Sequence, residues 1–196
     1  MADTGKPAPR GKRERLTQAA MELAHRQGYR QTTLADLAEA SNVPLGNIYY
    51  YFKSKDDIGR AVLERRLEEV AKMEALMAGL PTPLDRLLAF VENSIGNAAL
   101  VADQGCPLGS LSAELTKDDG DWTARASGLL GGPMRWMETQ FAEMGYQAEA
   151  ADLALQLQSS LQGASVLAHS LGDPGLLVRE GRRAQRWLGE LAAHPK

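Results

Sequence analysis

Apolar residues recur every three or four positions through most of the chain. No segment sustains the two-residue alternation of a strand, so the pattern predicts an all-α fold. Leu16, Ala20 and Leu23 share one face of a helix over about 12–27, stopped by Gly28. A second helix is expected over 33–41, capped by Thr32 or Thr33, and a third from Pro44 to near Phe52. Ser54, with Asp57 three residues on, makes a capping box that opens a long helix to about Ala78. Pro81-Thr82-Pro83 interrupts the chain. Thr82 and Asp85 then cap a helix carrying Leu84, Leu87, Leu88, Val91 and Ile95 on one face. A short helix follows Gly105-Cys106, and another spans about 121–144, where Gly131-Gly132-Pro133 should kink or break it before Gly145 ends it. Two final helices occupy about 148–170 and 174–193, the second capped by Asp173. Residues 1–11 are rich in Gly, Pro and Lys and read as a disordered tail.

The first three helices are short and joined by tight turns, which is the organisation of a helix-turn-helix. Leu34, Leu37 and Ala38 face inward on the second helix, and Ala38 is small where helices must cross closely. Asn42 stands at the turn, where a left-handed backbone is required and Asn tolerates it. Val43 and Ile48 close this miniature core. The expected organisation is therefore a DNA-binding domain over 12–54 and a larger helical domain over 55–196. Charge agrees with that division. Residues 1–60 hold ten Lys/Arg against seven Asp/Glu, whereas residues 61–196 hold twelve against eighteen.

Residues 33–38, Thr-Leu-Ala-Asp-Leu-Ala, and 43–55, from Val43 to Lys55, together resemble the signature of the TetR family of repressors. Gly46, Tyr49, Tyr51, Phe52 and Lys55 supply its Gly-x-x-Tyr-x-Tyr/His-Phe-x-x-Lys core, and the strong match covers about residues 12–62. The resemblance implies a homodimer that binds double-stranded operator DNA as a repressor and is released by a small-molecule inducer. It implies that Gly46 lets the backbone approach base edges, that Asn47 and Tyr49 reach bases, and that Tyr50, Lys55 and the Thr33 hydroxyl reach phosphates. Phe52 and Ile48 read as core, and Tyr51 is open between packing and DNA contact. Two positions depart from the commonest pattern. Pro44 replaces the usual Ser, and Leu45 stands where many relatives are polar or basic, where it suits a thymine methyl.

For the larger domain the resemblance implies pairing of the last two helices with their copies in a second subunit. Leu153, Leu157, Leu161, Ala164 and Ala168 form one stripe for this, with Ser160 and Gly163 allowing close approach; alternatively, both helices complete the monomer core. The last helix places Leu177, Ala184, Leu188 and Leu191 on one stripe and Arg179, Arg182, Arg183 and Arg186 on its other faces. Leu153 to Gly172 contains no charged residue, yet its Gln, Ser and His content is too polar for lipid, so no membrane span is expected. Trp122, Met134, Trp136, Met137, Phe141 and Met144 load one region with apolar surface; part is core, and Trp122, Trp136 and Met137 are candidates to line an inducer pocket.

Cys106 is the single cysteine, which excludes an intrachain disulfide framework and fits a reducing cytoplasm. No signal peptide is expected from the basic, polar opening. Cys106 stands at the N-cap of a short helix, where free N–H groups favour a thiolate. The Gly-Cys segment resembles a subset of the TetR family in which some members sense electrophiles or oxidants through this cysteine. One such member carries a lysine where this chain has His169, so the resemblance does not carry a sulfur–lysine crosslink over to this chain, although His169 could assist a thiolate. The alternative is a small packed hydrophobe. His25, His169 and His194 lack metal-ligand spacing, and neither a metal nor a cofactor is expected. Two rival functions are a small helical enzyme or carrier, for which convergent polar residues are missing, and a DNA-binding regulator that needs no ligand.

Overall fold

The computed structural model describes residues 11–117 and 122–193. Eleven helices and no strand are found among the described residues, in two compact units that divide between Arg65 and Arg66. The tail over 1–10, the start of the helix expected at Asp121, and His194 lie outside the described residues.

In the first unit, α1 (Lys12–Gln27), α2 (Leu34–Ser41) and α3 (Leu45–Tyr51) are followed by α4 (Lys55–Ala78), a 24-residue helix that continues into the second unit. Helix limits follow local capping. Thr33 Oγ1 accepts from the Asp36 N–H at 3.1 Å, and the Asp36 carboxylate accepts from the Thr33 N–H at 2.8 Å. Those hydrogen bonds hold the Asp36 carboxyl below its ordinary range. Ser54 and Asp57 repeat the device at the start of α4. Asn42 adopts the left-handed conformation (φ 52°), and the chain reverses there, with the Val43 N–H returning to the Ala38 carbonyl. Leu16, Leu37, Val43, Ile48, Phe52, Ile58 and Val62 are all buried and form the core of this unit.

The second unit holds α5 (Pro83–Gly96), α6 (Ala98–Gln104), α7 (Pro107–Leu115), α8 (Thr123–Ala126), α9 (Gly128–Glu143), α10 (Ala150–Leu171) and α11 (Pro174–Ala193). α6 is absent from the sequence pattern because Gly96 falls inside the last turn of α5 and only Asn97 separates the two helices. Asn97 closes α5, and its carbonyl accepts from Val101 to begin the next helix. The expected break at Gly131-Gly132-Pro133 does not occur; α9 runs through it, and the interruption lies upstream at Ser127. Proline normally expels the preceding residue from the helical region by a clash with its Cβ. Gly132 has none, so the helix survives. Leu87, Val91, Met137, Phe141, Ala154, Leu157, Leu161, Leu177 and Leu188 build the core of this unit. Gly181 sits where α11 crosses α5, and a Cβ there would run into the Ile95 side chain.

The proposed dimer stripe of α10 is corrected by this packing. Leu157, Leu161, Ala164 and Ala168 point into the chain's own core. The large apolar residues that α10 leaves exposed are Leu155, Val166, Leu167 and Leu171, none of them part of this buried set.

Candidate DNA-binding face and sensor cysteine

α3 is anchored by one side chain. Ile48 has 0% of its surface exposed, and around it Pro44, Leu45, Gly46, Asn47, Tyr49 and Tyr50 all face solvent. Six of the eight positions singled out for DNA contact thus share one exposed surface, with Tyr50 78% exposed. Pro44 caps α3 through its backbone alone, accepting from Asn47 N–H at 2.8 Å, so the hydroxyl lost at this position is not replaced by another side chain. Tyr51 is half-buried and meets the Tyr50 ring edge-on at 5.1 Å. Gly46 is informative because a Cβ there would meet nothing within 4 Å, and its backbone is ordinary helix. Nothing inside the chain needs a glycine here, so a side chain at this position would project only outward, toward whatever lies on this face.

Thr33 is exposed at the start of α2, where the N–H groups of the first turn have no carbonyl four residues back within the helix. Lys55 is more constrained than its sequence position implies. Its ammonium donates to the Arg30 carbonyl and lies 5.2 Å from the centre of the Tyr29 ring, while Tyr29 Oη donates to the Lys55 carbonyl at 2.8 Å. Lys55 therefore fastens the start of α4 to the loop after α1. Lys55→Ala should lower stability by about 1–2 kcal/mol as well as weaken binding to all DNA sequences alike. Thermal unfolding without DNA checks this, and an unchanged Tm would confine Lys55 to phosphate contact. The sequence reading missed Lys53, an exposed cation that donates to the Tyr49 carbonyl at 3.1 Å beside the same face. Its signal was a lysine directly after Phe52, the buried residue that closes α3.

In the second unit Cys106 is the N-cap of α7, and its Sγ accepts from the Gly109 N–H at 3.4 Å. The side chain that meets the sulfur is Gln162 of α10, with Nε2 at 3.5 Å. A Cβ on Gly109 would lie 2.8 Å from Gln162 Oε1, so the bare glycine admits that amide. His169 is exposed and stands over Gly105, where a Cβ would lie 3.6 Å from its ring; Nδ1 donates to the Ala102 carbonyl at 3.2 Å. Gln162 was not foreseen, because it lies 56 residues from the cysteine. Trp122 is buried ahead of α8, Trp136 packs on Phe90 at 5.9 Å between ring centres, and Met137 is wholly buried in the core. Among the described residues no group of side chains is suited to hold a metal ion, and no helix is long and apolar enough to cross a membrane.

A small helix-turn-helix unit, with its third helix exposing one face, followed by a larger helical unit, defines the class of helix-turn-helix transcriptional regulators. Residues 16–62 match the model of the bacterial regulatory proteins of the tetR family. Over these residues the chain carries the helix-turn-helix of the TetR family of transcriptional regulators. It is 30% identical over 118 residues to the transcriptional regulator AcuR of Cereibacter sphaeroides, covering 59% of this chain and 54% of that protein. It is 31% identical over 106 residues to the transcriptional repressor NemR of Escherichia coli, covering 53% of this chain and 50% of that protein. The matched stretch thus spans about half the length of these curated relatives, which are regulators and not enzymes. A TetR regulator from Legionella pneumophila superposes with a TM-score of 0.81 at 20% identity, over 93% of this chain and 98% of that one, and shares the fold. One from Rhodobacter sphaeroides gives 0.75 at 26% identity, over 88% and 96%.

Proposed function

We propose that this chain is a dimeric transcriptional repressor of the bacterial cytoplasm. It binds a palindromic operator through two copies of α3 and is released when a small molecule or electrophile acts on the second unit. The observation that carries the reading is the face of α3, a row of exposed side chains around a glycine that the protein's own packing does not require. Pairing through α10 and α11 is supported by Leu155, Val166, Leu167 and Leu171, left exposed on α10. It is supported also by a groove of about 550 Å3 between the outer faces of the two helices, floored by Gly163 and Ala164. Two half-sites are needed because one short recognition helix reads too few base pairs to specify an operator. Footprinting on the chain's own upstream DNA tests this. Protection of two half-sites about one helical turn apart is expected, and protection of a single half-site overturns it.

Cys106 is the chemical trigger in this reading. Its sulfur is half-buried at a helix start, where two N–H donors reach it, and alkylation would force the α7 start away from Gln162. Cys106→Ser should bind operator as the native chain does but no longer release it when treated with N-ethylmaleimide, because a hydroxyl has the shape without the reactivity. Gel-shift titration with and without the reagent measures this. Equal release of both proteins would make Cys106 a packing residue.

A further inference from the structure

Within the second unit, the inward stripe of α4 reads Leu67, Val70, Met73, Glu74 and Met77, in which Val70 and Met77 are buried and the others half-buried. A carboxylate is out of place in such a stripe. Its Oε1 is fully shielded from solvent and has no hydrogen-bond partner. A buried oxygen of this kind costs free energy in every ligand-free molecule, so it calls for a partner that the chain itself does not supply.

The surroundings show why the chain leaves it unpaired. Leu67 lies against Gly128 of α9, where a Cβ would come within 3.6 Å of its Cδ2. Two helical turns further along both helices, the charge of Arg135 acts on Glu74, so α4 and α9 run past each other in the same direction. Between these points α9 presents Gly131 and Gly132, with no side chains, and a Cβ on Gly132 would meet nothing within 4 Å. Arg135 folds back along its own helix; a Cβ on Gly131 would lie 3.1 Å from its Nη1, and no hydrogen bond reaches Glu74 Oε1. Pro133 has no N–H, which leaves the Leu129 carbonyl without its helical donor and adds a second acceptor within the same two turns.

We infer that Glu74 anchors the protonated amine of a small organic ligand, seated over the bare Gly131–Gly132 face between α4 and α9. Burial raises the Glu74 carboxyl above its ordinary range, and the opposing pull of Arg135 does not cancel it, as expected of a group whose charge awaits a partner. The inference rests on the reading of the second unit as a sensor, and it names the chemistry of what is sensed.

Calorimetric titration of the full chain without DNA, using benzylamine, benzyl alcohol and phenylacetate as probes, tests it. Benzylamine should bind saturably and at least about tenfold more tightly than the alcohol, the least that a charge-assisted hydrogen bond contributes, with phenylacetate weakest. Glu74→Gln should abolish the preference for the amine, and Arg135→Ala should keep it. With no ligand, Glu74→Met should raise Tm, because it removes an unpartnered carboxylate from an apolar stripe. Absence of saturable benzylamine binding, equal affinity for the alcohol, an unchanged preference in Glu74→Gln or a lowered Tm in Glu74→Met each overturns the inference. Operator binding by Glu74→Gln is read separately. If neither it nor the native chain binds operator, the regulatory reading fails and the amine result stands on its own.

Discussion

Raising salt from 50 to 200 mM should weaken operator binding by about 10³–10⁵-fold, the loss expected when two recognition units together neutralise about 6–10 phosphates. The basic balance of the first 60 residues, against the acidic remainder, confines this effect to the DNA-binding unit. Gly46→Ala sharpens the test, because it separates the fold from the contact. The new methyl has open space around it in the free protein, and alanine is the better helix former. Stability should therefore rise by about 0.5–1 kcal/mol. Operator affinity should nevertheless fall by about 1–3 kcal/mol, roughly ten- to a hundredfold, because the methyl occupies the space that a base edge needs. Chemical denaturation and fluorescence anisotropy on operator DNA measure the two quantities. Undiminished operator affinity in Gly46→Ala, or binding indifferent to salt, would remove α3 from the DNA interface.

Leu167→Glu should split the dimer without unfolding the monomer. Leu167 is 53% exposed in the single chain and borders the groove between α10 and α11, so the carboxylate remains hydrated in the monomer. In the pair it would be buried without a partner, at a cost of several kcal/mol, and two-fold symmetry applies the cost twice. The dimer dissociation constant should rise by about 10³-fold or more, and operator affinity should fall with it. Analytical ultracentrifugation reads the association, and thermal unfolding checks the monomer. A variant that sediments as the native chain does would place the pairing surface elsewhere. Leu157→Glu provides the contrast, because its side chain is 1% exposed within the monomer core and the change should unfold the protein outright.

That contrast shows where sequence reading stopped. α10 is apolar on two faces, and periodicity cannot rank them. The stripe through Leu157 and Leu161 is the one covered by the chain's own core, and only the neighbouring helices decide this. α3 was legible only in part. Its aliphatic residues are Leu45 and Ile48; Ile48 reads as core beside Val43, the outward role of Leu45 came only from the family resemblance, and the structure leaves Leu45 exposed.

The devices legible in the sequence act over three or four residues. The Thr33–Asp36, Ser54–Asp57 and Thr82–Asp85 boxes set helix starts through hydrogen bonds inside one turn, and Asn42 sets the turn by its own backbone tolerance. The sequence by itself therefore determined the capped helix starts and the helix-turn-helix, but neither α6 nor the interruption at Ser127. Tertiary structure alone decided that Gln162 meets the Cys106 sulfur, that Lys55 is tied to Tyr29, and that one oxygen of Glu74 is shielded without a partner. Each of those depends on helices far apart in the chain coming together, and a contact across such a distance leaves no local pattern, because no residue near either partner is constrained by it.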